Sequence, residues 1–432
     1  MSNGWNLRLQ LVGVNHRQAP VEIRERLCCP AEKLPSRLHA IIQGNKNIRE
    51  AVILSTCNRT EIYTVSSHDA SVAEYVTKMM SDWSGIPAAK LKQHSHLLLG
   101  EEAVRHLIAV TSGLDSLVVG EQQIQDQVKE ASKVAGQAGT NGRFLSKLFQ
   151  YAYRTATSIR KQSDVGLERR SVGSAAVSLL KRVSSNHPIS SILLVGAGKM
   201  ISLATEDLAA FSKTEVWVGN RTIQRAKKLA ERVGGKPLPL DQIQAALQKV
   251  DAVLICTSST SHIIKTEDME AAMPNRRNRP IILIDASVPR NIDPCVAKIP
   301  GIQLYDIDDL VPFIEENQGS YRSRIVKAEE LVRVQAEGFH ARIRSYDAND
   351  TLKDLRRLAE EIREKELSRA MRRLGDISDR EKEIVDILTC RIINKLLYEP
   401  SARLREHASN GDGEAYEAVV RDLFAIGQET RD

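Results

Sequence analysis

Between Ser190 and Asp285 apolar runs alternate with helical stretches, and the first run ends in a glycine turn that opens a helix: Ser190-Ser191-Ile192-Leu193-Leu194-Val195-Gly196-Ala197-Gly198-Lys199-Met200-Ile201. Few patterns restrict a fold more. A strand, a turn nearly free of side chains and a helix in direct succession make the first half of a βαβ unit. Further strands at 215–218, 251–255 and 281–285, with a helix at 226–233, extend it into a doubly wound parallel sheet. Residues 175–315 are expected to form one such α/β domain of Rossmann type.

The physical use of such a turn is close backbone approach to a pyrophosphate, with the helix N-terminus supplying donors and dipole. The candidate residues are Gly196, Ala197, Gly198, Lys199, Met200 and Ile201. Ile201 stands where the third glycine of the usual fingerprint would be, so the turn alone leaves a purely structural βαβ unit open. After the second strand comes Asn220-Arg221-Thr222. A site for NAD normally has Asp or Glu there to bind the ribose 2′-hydroxyl, whereas an arginine fits a 2′-phosphate, so NADP is favoured. Lys199 is unfavourable at a helix N-terminus unless an anion sits there.

A chain of 432 residues exceeds one hydrophobic core. Its first segment reads as mixed α/β: strands at 9–14, 51–54 and 61–65 and a helix at 31–43, without regular crossovers, suggest a split α/β sandwich over residues 1–165. Between the last two strands lies Ser55-Thr56-Cys57-Asn58-Arg59-Thr60-Glu61. A strand ending in a thiol among hydroxyls, an amide and a guanidinium delivers a soft nucleophile to a polar rim, and Arg59 is a candidate for lowering its pKa. The alternative is a small apolar cysteine closing a strand. From Glu101 the pattern is helical, interrupted at Gly113 and Gly120, and His106 on that amphipathic stretch is either a proton carrier or a structural residue.

After Pro312 the chain turns to Glu, Arg, Lys, Ala and Leu. Ile325, Ala328, Leu331 and Val332 recur at helical spacing, as do Leu352, Leu355, Leu358 and Ile362. Residues 320–425 are therefore expected to form a connecting helix and an all-α dimerisation region, since the stripe with Leu352, Leu355 and Ile362 has no obvious burial within one chain. An intramolecular bundle is the alternative. Six scattered cysteines show no zinc-site spacing, no metal is expected, and a reducing compartment follows. No targeting segment or run of about 18 apolar residues occurs, so a soluble protein is expected. A formal charge of +6 permits RNA as a partner, while 4% aromatics without an interleaved basic tract argue against a base-stacking platform. A thiol with a hydride carrier suggests chemistry at the acyl oxidation level, linking a thioester to an aldehyde in either direction.

These residues closely resemble the glutamyl-tRNA reductase family. The matching stretches are Gly13-Val14-Asn15-His16-Arg17-Gln18-Ala19-Pro20-Val21-Glu22-Ile23-Arg24-Glu25, the Cys57 loop, Ser112-Gly113-Leu114-Asp115-Ser116 through Val119-Gly120-Glu121-Gln122-Gln123-Ile124 to Gln127-Val128-Lys129, Ser171 to Val177, Gly219-Asn220-Arg221-Thr222, Asp285 to Pro294 and Tyr305 to Leu310. The resemblance implies NADPH-dependent reduction of glutamyl-tRNA(Glu) to glutamate 1-semialdehyde with release of tRNA, through a thioester on Cys57, as the first step of five-carbon tetrapyrrole synthesis. It implies a role in activity for His106 and substrate contacts by Thr56, Asn58, Arg59, Ser116, Glu121, Gln122, Gln123 and Gln127. The implied architecture is a catalytic domain, a Rossmann-type NADP domain, a long spinal helix and a C-terminal dimerisation domain of a homodimer. Glutamate-1-semialdehyde aminotransferase is the implied protein partner, with no DNA or membrane partner, and the implied compartment is the cytoplasm, or a plastid stroma for a mature organellar form. Lys199 and Asn291 depart from residues frequent in the family. Two other readings stay open: a noncatalytic NADP-binding sensor with Cys57 as a redox switch, and an NADP oxidoreductase acting on a free small molecule.

Overall fold

The computed structural model describes residues 8–67, 71–166, 171–185, 187–196, 198–208, 214–277, 279–315, 322–375, 377–410 and 413–426. Two compact units are present, one running through Arg333 and the other beginning at Val334.

The first unit opens with an antiparallel sheet of β1 (Arg8–Asn15), β2 (Ile48–Ser55), β3 (Arg59–Ser66) and β4 (His96–Leu99), in the order β2-β3-β1-β4. All eight residues of β3 are buried, so this strand is covered on both faces and shows no alternation, whereas the edge strand β4 keeps Leu97 and Leu99 half exposed. Helices Leu34–Gly44, Val72–Ser84, Gly100–Thr111, Gln123–Gln137 and Arg143–Ser163 pack on its strands. The carboxylate of Glu50 on β2 accepts from the backbone N–H groups of Phe144 (3.0 Å) and Leu145 (2.7 Å), placing an anion at the N-terminus of the last of these helices.

The parallel sheet has six strands, β5 (Ser191–Val195), β6 (Glu215–Asn220), β7 (Lys236–Pro239), β8 (Ala252–Ile255), β9 (Ile281–Asp285) and β10 (Ile302–Asp306), ordered β10-β9-β8-β5-β6-β7. The four strands read from the sequence are its centre. The two edge strands were not among them: β7 carries Pro237 and Pro239, which are tolerated only where a strand needs no ladder on one side. Alternate residues of β5, Ile192 and Leu194 against Leu193 and Val195, feed two separate cores, one on each face of the sheet. The two parts of this unit are tied by ion pairs. Arg290, after β9, donates to Glu25 (2.7 Å) and Glu22 (2.9 Å) of the helix Val21–Leu27, while Arg24 of that helix pairs with Asp308 beyond β10.

In the second unit the helices Phe339–Leu374, Asp379–Asn410 and Gly413–Leu423 pack on one another. The expectation for Leu352 and Leu355 is corrected here: both are buried within a single chain, because the two later helices fold back onto this part of the long helix. Leu352 packs with Leu404 and Val420, and beside it Thr351 donates to Glu417 (2.6 Å) and accepts from Arg421 (3.0 Å). Ile362 is exposed as expected. The larger apolar row left open is Ile384, Leu388, Ile392 and Leu396, at four-residue spacing on the helix Asp379–Asn410. No helix among the described residues is long and apolar enough to cross a membrane.

Candidate active site

Cys57 is presented by the tight turn that closes the β2–β3 hairpin. The Thr56 hydroxyl accepts from the N–H groups of Asn58 (3.2 Å) and Arg59 (3.3 Å), and the Thr56 N–H donates to the Arg59 carbonyl at 2.8 Å. Thr56 and Asn58 thus build the turn that carries Cys57. The Asn58 carbonyl accepts from His16 N–H (2.9 Å), and the Asn58 side chain and the Cys57 carbonyl accept from Nη1 of the buried Arg24 at 3.3 and 3.1 Å. Burial, followed by the charge of Glu121, pushes the Cys57 thiol up to about 11, with Arg24 opposing.

The cation acting on the thiol is therefore Arg24, where the sequence suggested Arg59. The reason is geometric. Arg59 lies at the start of β3, is only 1% exposed, and has its guanidinium committed to Glu61 Oε1 (2.6 Å), Asp115 Oδ2 (2.9 Å) and the Asp115 carbonyl. Glu61 also accepts from Tyr63 Oη at 2.8 Å and is bonded to His106 Nε2 at 2.8 Å. Burial works to raise the Glu61 carboxyl, but His106 and Arg59 outweigh it and hold it well below the usual carboxylate range. Arg59, Glu61, Asp115 and His106 thus form one buried polar network behind the thiol turn. Sequence reading assigned no part in it to Glu61 or Asp115, nor any to Arg24 beside the thiol turn, because only pairing across the fold marks them.

A cleft of about 980 Å³ joins the thiol to the parallel sheet. Of the residues anticipated from sequence, Cys57, Gln123, Gln127, Gly196, Gly198, Met200, Asn220 and Arg221 line it. Gln123 and Gln127 come from one face of the helix Gln123–Gln137, one turn apart. Thr56, Asn58, Arg59, His106, Ser116, Glu121, Gln122 and Ile201 are not brought to its wall; Ser116 is buried in the bend that starts at Gly113, Gln122 is exposed at the cap of that helix, and Ile201 packs in the sheet's core. Ala197 lies outside the described residues, as does the side chain of Lys199.

The glycine turn fits a dinucleotide. Gly196 has φ of 116°, and a Cβ there would meet the Cys256 carbonyl at 2.2 Å, so only glycine lets the turn pass this close to the backbone after β8. Gly198 opens the helix Lys199–Leu208 and has free space around it. The Asn220 side chain accepts from Thr222 N–H (2.9 Å) and shapes the turn after β6. Arg221 and Arg225 are both exposed to the cleft, and among the described residues neither makes an ion pair. Arg225 was missed, as was the wall made by Thr257, Ser258, Ser259 and Ser261, although a run of hydroxyls directly after an apolar strand was a visible signal. Asn291, fully buried, anchors that wall: its amide donates to the Ser259 carbonyl (3.0 Å) and accepts from Thr257 Oγ1 (2.5 Å).

Three family models match the chain in sequence: "Glutamyl-tRNAGlu reductase, N-terminal domain" over residues 12–163, "Shikimate / quinate 5-dehydrogenase" over 178–313, and "Glutamyl-tRNAGlu reductase, dimerisation domain" over 327–426. A glutamyl-tRNA reductase of Syntrophotalea carbinolica is 36% identical over 421 residues, covering 98% of this chain and 95% of the relative. One from Pseudomonas syringae is 37% identical, covering 98% of each. Among solved structures, the glutamyl-tRNA reductase of Methanopyrus kandleri is 30% identical over 95% of this chain and 98% of its own, with a TM-score of 0.44. With a thiol turn and a nucleotide-type glycine turn on one cleft, and with relatives matched from end to end, the chain belongs to the glutamyl-tRNA reductase family.

Proposed function

We propose that the chain uses NADPH to reduce the glutamyl group of glutamyl-tRNA(Glu) to glutamate 1-semialdehyde, the first step of five-carbon tetrapyrrole synthesis. The observation that carries this reading is that Cys57 and the Gly196–Gly198 turn line the same cleft. Cys57 attacks the ester carbonyl; a carbon–sulfur bond forms, the bond to the terminal ribose oxygen breaks, and the thiol proton ends on that oxygen as tRNA leaves. When bound, NADPH supplies the hydride that reduces the acyl carbon. The resulting thiohemiacetal on Cys57, its oxygen having taken a proton from solvent, then collapses: the carbon–sulfur bond breaks, the aldehyde carbonyl forms and the hydroxyl proton passes to the sulfur.

Each residue has a part in this. Gly196 and Gly198 admit the pyrophosphate, Arg221 and Arg225 face the 2′-phosphate, and Gln123 and Gln127 contact the glutamyl end. Arg24 holds the turn and offsets developing charge on sulfur. His106 is a positioning residue that acts through Glu61 and Arg59 on the Cys57 turn, consistent with its place behind the cleft wall. A homodimer in the cytoplasm that hands its labile aldehyde to glutamate-1-semialdehyde aminotransferase belongs to the same reading.

The test is NADPH oxidation with glutamyl-tRNA, uncharged tRNA and glutaminyl-tRNA. Turnover with the first alone is expected. With NADPH withheld, intact mass should show a glutamyl adduct that hydroxylamine removes, and Cys57→Ser should lose both adduct and turnover while still binding tRNA. Turnover without charged tRNA would favour an oxidoreductase of small molecules.

A further inference from the structure

Gly13 sits on β1 between two partners. Across the β1–β3 ladder it is opposite Glu61, and across the β1–β4 ladder it is opposite His96. Residues in register on adjacent strands point to the same face of the sheet, so the carboxylate and the imidazole converge above a position that has no side chain of its own. A Cβ at Gly13 would meet Glu61 Cγ at 2.8 Å and His96 Nε2 at 3.0 Å. The glycine is what lets the two groups approach. His106, from the helix Gly100–Thr111, closes the group from above, its ring centroid 5.3 Å from that of His96.

The tautomers make this arrangement specific. His96 Nδ1 lies 2.8 Å from the side-chain oxygen Oε1 of Gln18, so the ring proton is on Nδ1 and Nε2 presents a lone pair. That Nε2 is buried and has no hydrogen-bond partner among the described residues. It shares its pocket with a carboxylate, which is also a lone-pair donor, and with His106 Nε2. Donor atoms of all three residues lie within 4.8 Å of one another. Arg59, Tyr63 and His106 already donate to the Glu61 oxygens, so the lone pair left without a donor is that of His96 Nε2, and a cation taking the place of the His106 proton satisfies it together with Glu61 and His106. An imidazole whose far nitrogen donates to an oxygen acceptor is the arrangement that orients histidine as a metal ligand.

The geometry points to a binding site for one divalent transition-metal ion of the zinc class, held by Glu61, His96 and His106 over Gly13. Two imidazoles and a carboxylate favour such ions over magnesium or calcium, which take oxygen donors. Bonds of about 2.1 Å place tetrahedral donors about 3.4 Å apart, so His106 Nε2 and Glu61 Oε1, now 2.8 Å apart, open slightly to admit the ion. Arg59 lies 2.6 Å from Glu61 Oε1 but shares its charge with Asp115, so the carboxylate is not fully neutralised. Binding replaces the hydrogen bond between His106 and Glu61, and the His106 Nε2 proton leaves to solvent.

The test is titration of the full-length, chelator-treated protein with Co2+, followed by its visible d–d absorption. One ion per chain is expected, without the near-ultraviolet thiolate band that ligation by any of the free cysteines would give. His96→Gln should weaken binding by more than about tenfold, and Gln18→Ala, an exposed change that leaves all three ligands in place, by about tenfold. If His96→Gln fails to fold, the Gln18 variant decides alone. Absence of d–d absorption, a thiolate band, or unchanged affinity in either folded variant would overturn the site.

Discussion

Cys57 is held as a thiol whose ionisation is resisted by its surroundings, and that has a measurable consequence. Because burial and Glu121 raise its pKa to about 11 and Arg24 opposes them, alkylation by iodoacetamide should keep accelerating well above the ordinary thiol range near 8.5. Glu121→Gln should make alkylation faster at pH 8, and Arg24→Gln slower; equal rates would remove both charges from the account. His16 gives a second prediction. Burial first, then Arg59, lower its pKa to about 4 from an ordinary value near 6.5. In that window the unfolded chain binds more protons, so the stability contributed by neutral His16 is complete above about pH 6.5 and is lost as the pH falls through about 4. Asp285 acts in the opposite sense, because burial raises its carboxyl to about 6 and the stability from its retained proton is lost as the pH rises through that value. His16→Gln should therefore shrink the drop in urea midpoint between pH 7.5 and 5, and an unchanged drop would exclude His16 as its source. At this scale the sequence marks residues by local context, which sufficed for Cys57 between a strand and a polar turn. It did not suffice for Arg24 or Glu61, whose bonds to the Cys57 carbonyl and to His106 span 33 and 45 positions.

The elements were legible wherever periodicity was strong. The central strands β5, β6, β8 and β9 and the turn after β5 follow from apolar runs and glycine, whereas β7 escaped because two prolines in four residues read as a loop. Ile201 in place of the third fingerprint glycine is also explained at this scale. Such a glycine usually lets its helix pack closely on the first strand; here Ile201 fills the core instead, and the close approach is between helices, where a Cβ on Gly173 would meet the Met200 carbonyl at 2.5 Å. In the proposed function the turn after β6 carries the choice of nicotinamide. Charge-assisted hydrogen bonds contribute about 1.5 to 3 kcal/mol each, so Arg221→Ala should raise the Michaelis constant for NADPH roughly tenfold more than that for NADH. Arg225, in the first turn of the next helix, also faces the cleft, and replacing both arginines by alanine should widen the difference beyond the single change. Equal losses with both nucleotides would show that these arginines serve the fold or the adenine.

At the scale of the whole molecule, amphipathic spacing was enough to announce a helical C-terminal region but not to say which face is covered. Every apolar stripe in that region obeys the same period, and only the fold-back of the last two helices distinguishes Leu352 and Leu355, which they bury, from Ile384, Leu388, Ile392 and Leu396, which they leave open. The chain carries the family's dimerisation domain over residues 327–426, and this open row lies inside it. Removing an aliphatic side chain from water contributes about 1.5 to 3 kcal/mol, so a row repeated on two chains is a substantial driving force even after the entropic cost of association. The full-length protein is expected to be a dimer by light scattering at micromolar concentration. Leu388→Glu combined with Leu396→Glu would place unpaired carboxylates in that interface, a change costly enough to yield monomers. Since Leu388 is 55% and Leu396 66% exposed in the single chain, the far-ultraviolet circular dichroism should not change. A dimer that survives the double substitution would show that the subunits meet through another face; a monomer with altered helicity would mean that the row supports the bundle itself.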